Sequence, residues 1–371
     1  MKTRKYSSSL RLGVFVSPHG FGHAARACAI LHFLRARLSA LECHVLTTVP
    51  FWFFRESLPT TNLSYHRLVT DVGLVQKDAF HEDIPRSLRR LDAFYPLKHW
   101  RIENAARLVK RFRPALLLCD ISPLGIAVAR RLQIPSVLVE NFTWEWIYGH
   151  HPALAKPLAS IRTHLASLTR SATIRIRTEP FCGTGRGHFT THPVWRPPRT
   201  SQRTVRNILR LRRTDRCVLV SLGGFPSRYP LEKIASFARS RKIHFLLPGT
   251  APRTIHDGFL VKLPHHTPYY HPDLVNAADL VVGKVGYSTI SEVIGMGKRF
   301  AFIPRETFPE SPFLVRYLKG RVPSRKIALR SLHNGTWLKK IDALLQTPPG
   351  EPSRENGAEI ITARIAEFAR S

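Results

Sequence analysis

A segment rich in glycine and histidine follows the first apolar run of the chain. Residues 12–16 are apolar, and residues 17–23 then read Ser-Pro-His-Gly-Phe-Gly-His. Gly20 and Gly22 allow the backbone to approach a ligand closely, and the predicted helix that follows offers unpaired amide groups to a phosphate. His23, at the start of this helix, could accept a proton from a hydroxyl group, or it could only cap or pack. His19 is the weaker candidate.

A second segment of this kind lies at residues 282–292, with the sequence Val-Gly-Lys-Val-Gly-Tyr-Ser-Thr-Ile-Ser-Glu. It predicts a strand end, a glycine turn and the start of a helix. Gly286 and the amides after it would seat a phosphate, with hydroxyl donors from Ser288 or Thr289 and a cation from Lys284. Glu292, one helical turn further, could accept hydrogen bonds from a ribose diol. The alternative is a helix cap made by Ser288 and Glu292, which leaves the glycines and the lysine unexplained.

Three further loops follow predicted strands. Gly223 and Gly224 come after residues 217–221 and make either a phosphate-binding turn or an ordinary strand-to-helix turn. In the loop after residues 300–303 we prefer Glu310 over Glu306 as a ligand for sugar hydroxyls, although a solvated carboxylate fits the spacing equally well. Asn141 and Trp144 follow residues 136–140, and an indole there could stack on a sugar face.

These loops need a scaffold of alternating strands and helices. Apolar runs at residues 12–16, 45–48, 63–68, 115–120 and 136–140 alternate with helical patterns, among them one long basic stretch from about 86 to 113. The pattern stops in a segment rich in Gly, Pro, Thr and Arg (178–213) and then begins again. The sequence thus predicts an α/β protein of two Rossmann-like doubly wound domains facing each other across a cleft: residues 1–195, residues 196–355, and a C-terminal helix (356–371) that packs back on the first domain.

Charge and cysteine content limit the partners and the compartment. Lys and Arg number 57 against 25 Asp and Glu, a formal net charge of +32. This favours nucleotides, phospholipid surfaces or acidic glycans, or it reflects a genome-wide arginine bias; without a recognition motif we expect no specific nucleic-acid binding. No apolar run reaches the roughly 18 residues of a membrane span. Five scattered cysteines predict a reduced, cytoplasmic protein, with peripheral contact to an anionic membrane left open.

Aromatic residues 51–54 (Phe-Trp-Phe-Phe) also have two interpretations. They suit the core of a helix that begins after Pro50. They could instead touch a membrane surface and a lipid-linked acceptor beside the basic stretch 86–113. We favour the core.

Six motifs resemble one family. Residues 17–24, 48–54, 71–76, 141–148, 283–292 and 305–314 are similar to the glycosyltransferase-like domain at the N-terminus of plant L-arabinokinases and to its free-standing bacterial relatives. The likeness runs over most of residues 11–320. It implies the GT-B fold of the UDP-glycosyltransferases. The phosphate loop of sugar kinases is absent and no length remains for a kinase domain, so arabinokinase activity is not implied.

More distantly, Gly286, Thr289 and Glu292 resemble the nucleotide-binding helix start of the lipid-linked N-acetylglucosamine transferase of peptidoglycan synthesis. The resemblance implies a nucleotide-sugar donor, with UDP favoured, His23 as the base, and an inverting reaction without metal or other cofactor. From their positions after predicted strands, we expect Gly20, Gly22, Gly223 and Gly224 to bind the nucleotide as well. On the same ground we expect His19, Asn141, Trp144 and Glu310 near the sugar or acceptor. The glutamine-type sugar contacts of better-known enzymes are replaced here by the Glu306 and Glu310 region. The donor sugar therefore stays open.

Two other functions fit the same residues. The chain could be a nucleotide-sugar-binding module without transfer activity, or, with less support, a nucleotide-sugar epimerase, which would need more acid and base groups.

Overall fold

A computed structural model describes residues 10–38, 40–183, 187, 189–223 and 229–368. These residues form two compact units: unit 1 contains the chain up to Val75, Glu82–Trp195 and the C-terminal segment from Asn356, and unit 2 contains Gln76–His81 and Arg196–Glu355. The short segment Gln76–His81 belongs to unit 2 because Ala79 and Phe80 lie in that unit's apolar core.

Unit 1 is a seven-stranded sheet with helices. Its strands are β1 (Arg11–Val16), β2 (Glu42–Thr47), β3 (Leu63–Arg67), β4 (Leu116–Asp120), β5 (Ser136–Glu140), β6 (Ile174–Thr178) and β7 (Phe189–Thr191). The order is β3-β2-β1-β4-β5-β6-β7, and every neighbouring pair is parallel. Its helices are α1 (Gly22–Arg37), α2 (Phe51–Ser57), α3 (Ile84–Phe94), α4 (His99–Lys110), α5 (Pro123–Leu132), α6 (Trp144–His150), α7 (Ala159–Arg170) and the C-terminal α15 (Gly357–Phe368).

Unit 2 repeats this plan. Its strands are β8 (Arg216–Ser221), β9 (Ile243–Pro248), β10 (Ile255–Asp257), β11 (Leu260–Leu263), β12 (Leu280–Lys284), β13 (Arg299–Ile303) and β14 (Ser324–Lys326), in the order β10-β11-β9-β8-β12-β13-β14. Only the β10–β11 pair among these is antiparallel. Its helices are α8 (Gln202–Ile208), α9 (Leu231–Arg241), α10 (His271–Ala277), α11 (Tyr287–Gly295), α12 (Ser311–Leu318), α13 (Leu329–Asn334) and α14 (Leu338–Gln346).

The strand order creates one switch point in each unit. Successive strands extend one way from β1 and the other way from β4, and the same happens at β8 and β12. Crossover connections leave such a pair in opposite directions, and in open parallel sheets ligands generally bind at the carboxyl ends of the two strands. The two glycine-containing segments from the sequence analysis follow one strand of each pair: residues 17–23 follow β1, and residues 285–292 follow β12.

Helix α15 completes the core of unit 1. Its side chains Ala358, Ile361 and Ile365 are buried in the same apolar cluster as strand β1. Asn356 anchors the start of the segment, because its amide donates to the carbonyl of Trp195 at 2.8 Å. The packing stabilises unit 1 through burial of apolar area.

The prediction of one helical stretch over residues 86–113 is wrong. The chain forms two helices, α3 and α4, which are separated by residues 95–98. Pro96 causes the break, since proline has no amide hydrogen to donate and its ring clashes with the preceding helical turn. The helix predicted after Pro50 is confirmed as α2, with Phe53 and Phe54 buried. All five cysteines are buried, and none of them forms a disulfide.

Candidate functional site

The switch point of unit 1 brings His23 to the end of strand β4. His23 is the second residue of α1 and is buried. Its Nδ1 atom lies 2.8 Å from Oδ1 of Asp120, the last residue of β4. No described residue hydrogen-bonds the other ring nitrogen, Nε2. A carboxylate on Nδ1 fixes the orientation of the ring and favours the tautomer that leaves a lone pair on Nε2.

Arg26 binds the same carboxylate, and its Nη2 atom shares Oδ1 of Asp120 with His23. Its Nε and Nη2 atoms donate to the two carboxylate oxygens at 2.7 and 2.6 Å, which makes a two-point ion pair. Both side chains are only 1% exposed. Burial alone would raise the pKa of Asp120, but the charge and hydrogen bonds of Arg26, with those of His23, outweigh it and hold that pKa below its ordinary value. Asp120 is therefore a carboxylate at neutral pH.

The remaining nitrogen of Arg26 ties this pair to two more strands. Nη1 donates to Oδ1 of Asn141 at 2.6 Å and reaches the hydroxyl of Thr178 at 3.4 Å. Asn141 follows β5 and Thr178 ends β6. The guanidinium thus links the carboxyl ends of three neighbouring strands of the sheet. Asn141, which the sequence predicts near the sugar or acceptor, is buried and accepts this bond; its predicted role stays a prediction.

Residues 70–74, here called the strap, pack against residues 16–19, the end of β1 and the loop that contains His19. Thr70 donates its hydroxyl to the carbonyl of Val16 at 2.7 Å. Asp71 accepts from the hydroxyl of Ser17 at 3.0 Å and from the indole Nε1 of Trp144 at 3.3 Å. Gly73 has a φ of +60°, and a Cβ there would lie 2.9 Å from the rings of His19 and Trp144. Glycine is therefore needed where the strap crosses these two rings.

Asp71 is a second buried carboxyl group close to Asp120. It is 1% exposed. Burial raises its pKa to about 7, the repulsion of Asp120 adds to this, and the hydrogen bonds from Ser17 and Trp144 oppose it. Asp71 thus changes its charge near neutral pH while Asp120 stays ionised.

His19 and Trp144 lie together in the wall of this site. Their rings meet edge to face with 5.0 Å between centroids. Trp144 is 1% exposed and packs on Tyr148 and Phe142, which places it behind His19 and His23. Gly20, in the loop, has a φ of +72° and open space around it. The sugar, acceptor or nucleotide contacts predicted for His19, Trp144, Gly20 and Gly22 stay predictions.

The switch point of unit 2 places the amine of Lys284 beside two glycines. Lys284 ends β12, Gly223 follows β8, and Gly286 is the N-cap of α11. A Cβ added to Gly223 would lie 3.5 Å from Nζ of Lys284, and one added to Gly286 would meet only the Lys284 side chain, at 4.0 Å. No acidic residue lies in the first turn of α11. A cation, two glycines and a helix N-terminus therefore meet here, as an anion site requires.

Glu292 lies one turn into α11 and is 2% exposed. One carboxylate oxygen accepts from Nε of Arg196 at 2.9 Å, and the other lies 3.2 Å from Nδ1 of His271. Nε2 of His271 lies 2.9 Å from the hydroxyl of Ser221, at the end of β8. Burial would raise the pKa of Glu292, but Arg196 and His271 outweigh it and hold that pKa below its ordinary value. Glu292 is thus a carboxylate that connects β8 to α11.

Other predicted residues of unit 2 are placed as follows. Ser288 and Thr289 are half-buried in the first turn of α11. Glu310 is buried at the start of α12. Gly224 lies outside the described residues. The ligand contacts predicted for all of these stay predictions.

Two features are absent from the described part of the chain. It contains no group of three or more His, Cys, Asp or Glu side chains arranged to hold a metal ion. None of its helices combines the length and apolar character needed to cross a bilayer. The membrane-surface contact considered above stays a prediction.

The sequence reasoning missed Arg26, Asp120, Asp71, Arg196 and His271. The sequence could have predicted Asp120 and Asp71 as site residues, since each is an acidic residue at or just after the carboxyl end of an apolar strand pattern. It could not have predicted Arg26 and His271, because each lies in a helix where a polar residue normally faces solvent.

A curated relative matches nearly the whole chain. L-arabinokinase of Arabidopsis thaliana is 26% identical over 374 residues, which covers 98% of this chain and 35% of that protein. The chain thus spans about a third of the length of the relative it matches. No protein-family model matches the chain. The predicted resemblance to L-arabinokinase is confirmed.

Solved glycosyltransferases share the fold. UGT2 of Phytolacca americana, solved with UDP-2-fluoro-glucose and pterostilbene, has a TM-score of 0.59 at 13% identity, covering 98% of this chain and all of that one. MurG of Acinetobacter baumannii has a TM-score of 0.54 at 13% identity, covering 97% and 99%. The prediction of a GT-B fold is confirmed.

Replacing Arg26 tests the ion pair. Arg26→Met leaves Asp120 buried without its main partner, so we expect a loss of about 3–5 kcal/mol in the free energy of unfolding at pH 7. The loss should shrink at pH 4, where the unpaired carboxyl is protonated. Urea denaturation at both pH values measures it. Arg37→Met, at an exposed position of the same helix, should change little; a similar loss in both variants would contradict the account.

The contribution of Asp71 to the free energy of unfolding should change with pH in the opposite direction to that of a salt-bridged carboxylate. The folded chain keeps the Asp71 proton up to about pH 7, whereas the unfolded chain releases it near the ordinary value of 3.8. The folded state therefore binds more protons in this window, and the contribution of Asp71 to stability falls as pH rises. From pH 4 to pH 8, the free energy of unfolding of Asp71→Asn should gain about 4 kcal/mol relative to the native chain. Asp92→Asn, which removes an exposed carboxylate, should show no such trend, and a flat difference for Asp71→Asn would refute the assignment.

Proposed function

We propose that the protein transfers a sugar from a nucleotide-sugar, with UDP as the favoured nucleotide, to a hydroxyl group of an acceptor. The observation that carries this proposal is the His23–Asp120–Arg26 arrangement at the switch point of unit 1. It is supported by the anion site around Lys284 in a chain with the GT-B fold, and by UGT2 of Phytolacca americana, a protein of the same fold that was solved with a UDP-sugar analogue.

The base in this proposal is Nε2 of His23. It accepts the proton of the acceptor hydroxyl as the acceptor oxygen forms a bond to the anomeric carbon. The bond from that carbon to the phosphate oxygen breaks, and the nucleoside diphosphate leaves with the electron pair. A single displacement of this kind inverts the anomeric configuration. Asp120 stabilises the imidazolium that forms, and Arg26 keeps Asp120 ionised and in place.

The leaving diphosphate would be stabilised by unit 2. Lys284 and the amides at the start of α11 lie beside Gly223 and Gly286. Among the described residues, only the Lys284 side chain would touch a Cβ at either glycine, so phosphate oxygens can approach both. Because these groups are protein cations and dipoles, the proposal includes no metal. Glu292 is the proposed acceptor for ribose hydroxyls. Each carboxylate oxygen has two lone pairs, so a bond from Arg196 or His271 leaves capacity for another.

Two measurements distinguish nucleotide binding from sugar transfer. Calorimetric titration gives the affinities of UDP, GDP and dTDP. Release of each nucleotide from its nucleotide-sugars is then followed in the presence of alcohol, phenol or sugar acceptors. Lys284→Ala should weaken binding of the preferred nucleotide about tenfold or more, since a hydrogen bond to a charged group is lost. His23→Ala should leave nucleotide binding unchanged and slow release about 10²–10⁴-fold. His32→Ala, further along the same helix, is the control and should behave as the native chain.

The alternatives give different outcomes. Release that survives His23→Ala would remove His23 from the mechanism. Nucleotide-sugar binding without release under any acceptor would identify a binding module, and isomerisation of the donor sugar without acceptor would identify an epimerase. If no nucleotide binds, the proposal for unit 2 is wrong.

A further inference from the structure

A cavity of about 420 Å³ opens on unit 2 at the carboxyl ends of β13 and β14. Arg305, in the loop after β13, and Lys326, the last residue of β14, form one side. Arg316 and Lys319, from the end of α12, form the other. The volume falls in the range of small-molecule sites, roughly 300–1,000 Å³. None of the predicted nucleotide-binding residues lines it.

The charges in this cavity are poorly balanced. Three exposed cationic side chains, Arg316, Lys319 and Lys326, line it together with one exposed carboxylate, Glu306. None of these three cations forms an ion pair with another described residue. Arg305 is buried, with its guanidinium stacked 3.7 Å above the ring of Phe308. Like charges brought together in this way repel one another, and an anion in the cavity would relieve the repulsion.

The cavity lies at the carboxyl edge of the sheet, as does the proposed anion site at Gly286, but other residues line it. Lys284 is in register with Ile303, and Phe302 is in register with Lys326. Lys284 and Lys326 thus end strands that are two positions apart, at nearly the same level of the sheet. At about 4.8 Å per strand, their backbones are roughly 10 Å apart. One extended ligand could reach both places, or two ligands could occupy them.

We propose that this cavity binds an oxyanion, a phosphate or carboxylate group, of a ligand. Arg316 can offer a planar pair of donors to such a group, and Lys319 and Lys326 add point charges. The hydroxyl of Ser311, also in the lining, accepts from the backbone amide of Arg305 at 3.0 Å and can donate its own hydrogen to the anion. The oxyanion comes either from an acidic donor sugar or from a separate phosphate-bearing molecule.

Calorimetric titration with inorganic pyrophosphate, in the presence of excess UDP, tests the site. Lys326→Ala should weaken pyrophosphate binding about tenfold, and Lys319→Ala with Lys326→Ala should weaken it further. Arg325→Ala is the matched control, because Arg325 is an exposed cation on the same short strand and does not line the cavity. It should bind pyrophosphate as the native chain does. Since the chain carries a net charge of +32, equal weakening by Arg325→Ala would show general attraction and overturn the proposal, as would no binding at all.

A second titration distinguishes the two sources. If the oxyanion belongs to the donor, UDP-glucuronate should bind more tightly than UDP-glucose, and Lys326→Ala should abolish the difference. If it belongs to a separate molecule, the two donors should bind equally while pyrophosphate still binds beside UDP. Should UDP not bind, the proposed function fails, but the pyrophosphate comparison still decides the fate of this site.

Discussion

The buried ion pair between Arg26 and Asp120 is the constraint on which the site in unit 1 depends. A carboxylate that is 1% exposed is costly unless a cation and hydrogen bonds compensate it. Arg26 supplies both, and it lies three residues after His23 on the same face of α1. The pairing that keeps Asp120 ionised therefore also sets the position of the histidine. Asn141 and Thr178 bind the remaining guanidinium nitrogen, so the ends of three strands are fixed around one cation.

Unit 2 also contains a buried carboxylate that is kept ionised by paired side chains, but the residues differ. Glu292 is a buried carboxylate, held ionised by Arg196 from the start of the unit and by His271 from α10. In both units the compensated carboxylate lies at the strand pair where the sheet order reverses. Polar groups at such points must be paired within the protein, and the pairing leaves the neighbouring glycine loops with amide groups and open space for a ligand.

Most of the fold could be predicted from the sequence, because apolar runs of parallel strands are buried on both faces and stand out. The helix break at Pro96 could also have been predicted, since proline was visible within the basic stretch. The loop residues His23, Lys284 and Gly286 could be predicted because glycine spacing marks strand ends. Arg26 could not be predicted, since a single arginine in a helix normally faces solvent. Only the tertiary structure shows that Arg26 pairs with Asp120.

The tautomer of His23 tests the central claim most directly. If Asp120 accepts a hydrogen bond from Nδ1, the neutral imidazole carries its proton on Nδ1 and has a lone pair on Nε2 to accept a hydroxyl proton. The ¹⁵N chemical shifts of the two ring nitrogens, followed over a pH series and assigned by comparison with His23→Ala, identify the tautomer of the neutral ring. The account predicts a neutral ring with a protonated Nδ1 and an unprotonated Nε2. A neutral ring with its proton on Nε2 would contradict it, because Nε2 could then not act as the base.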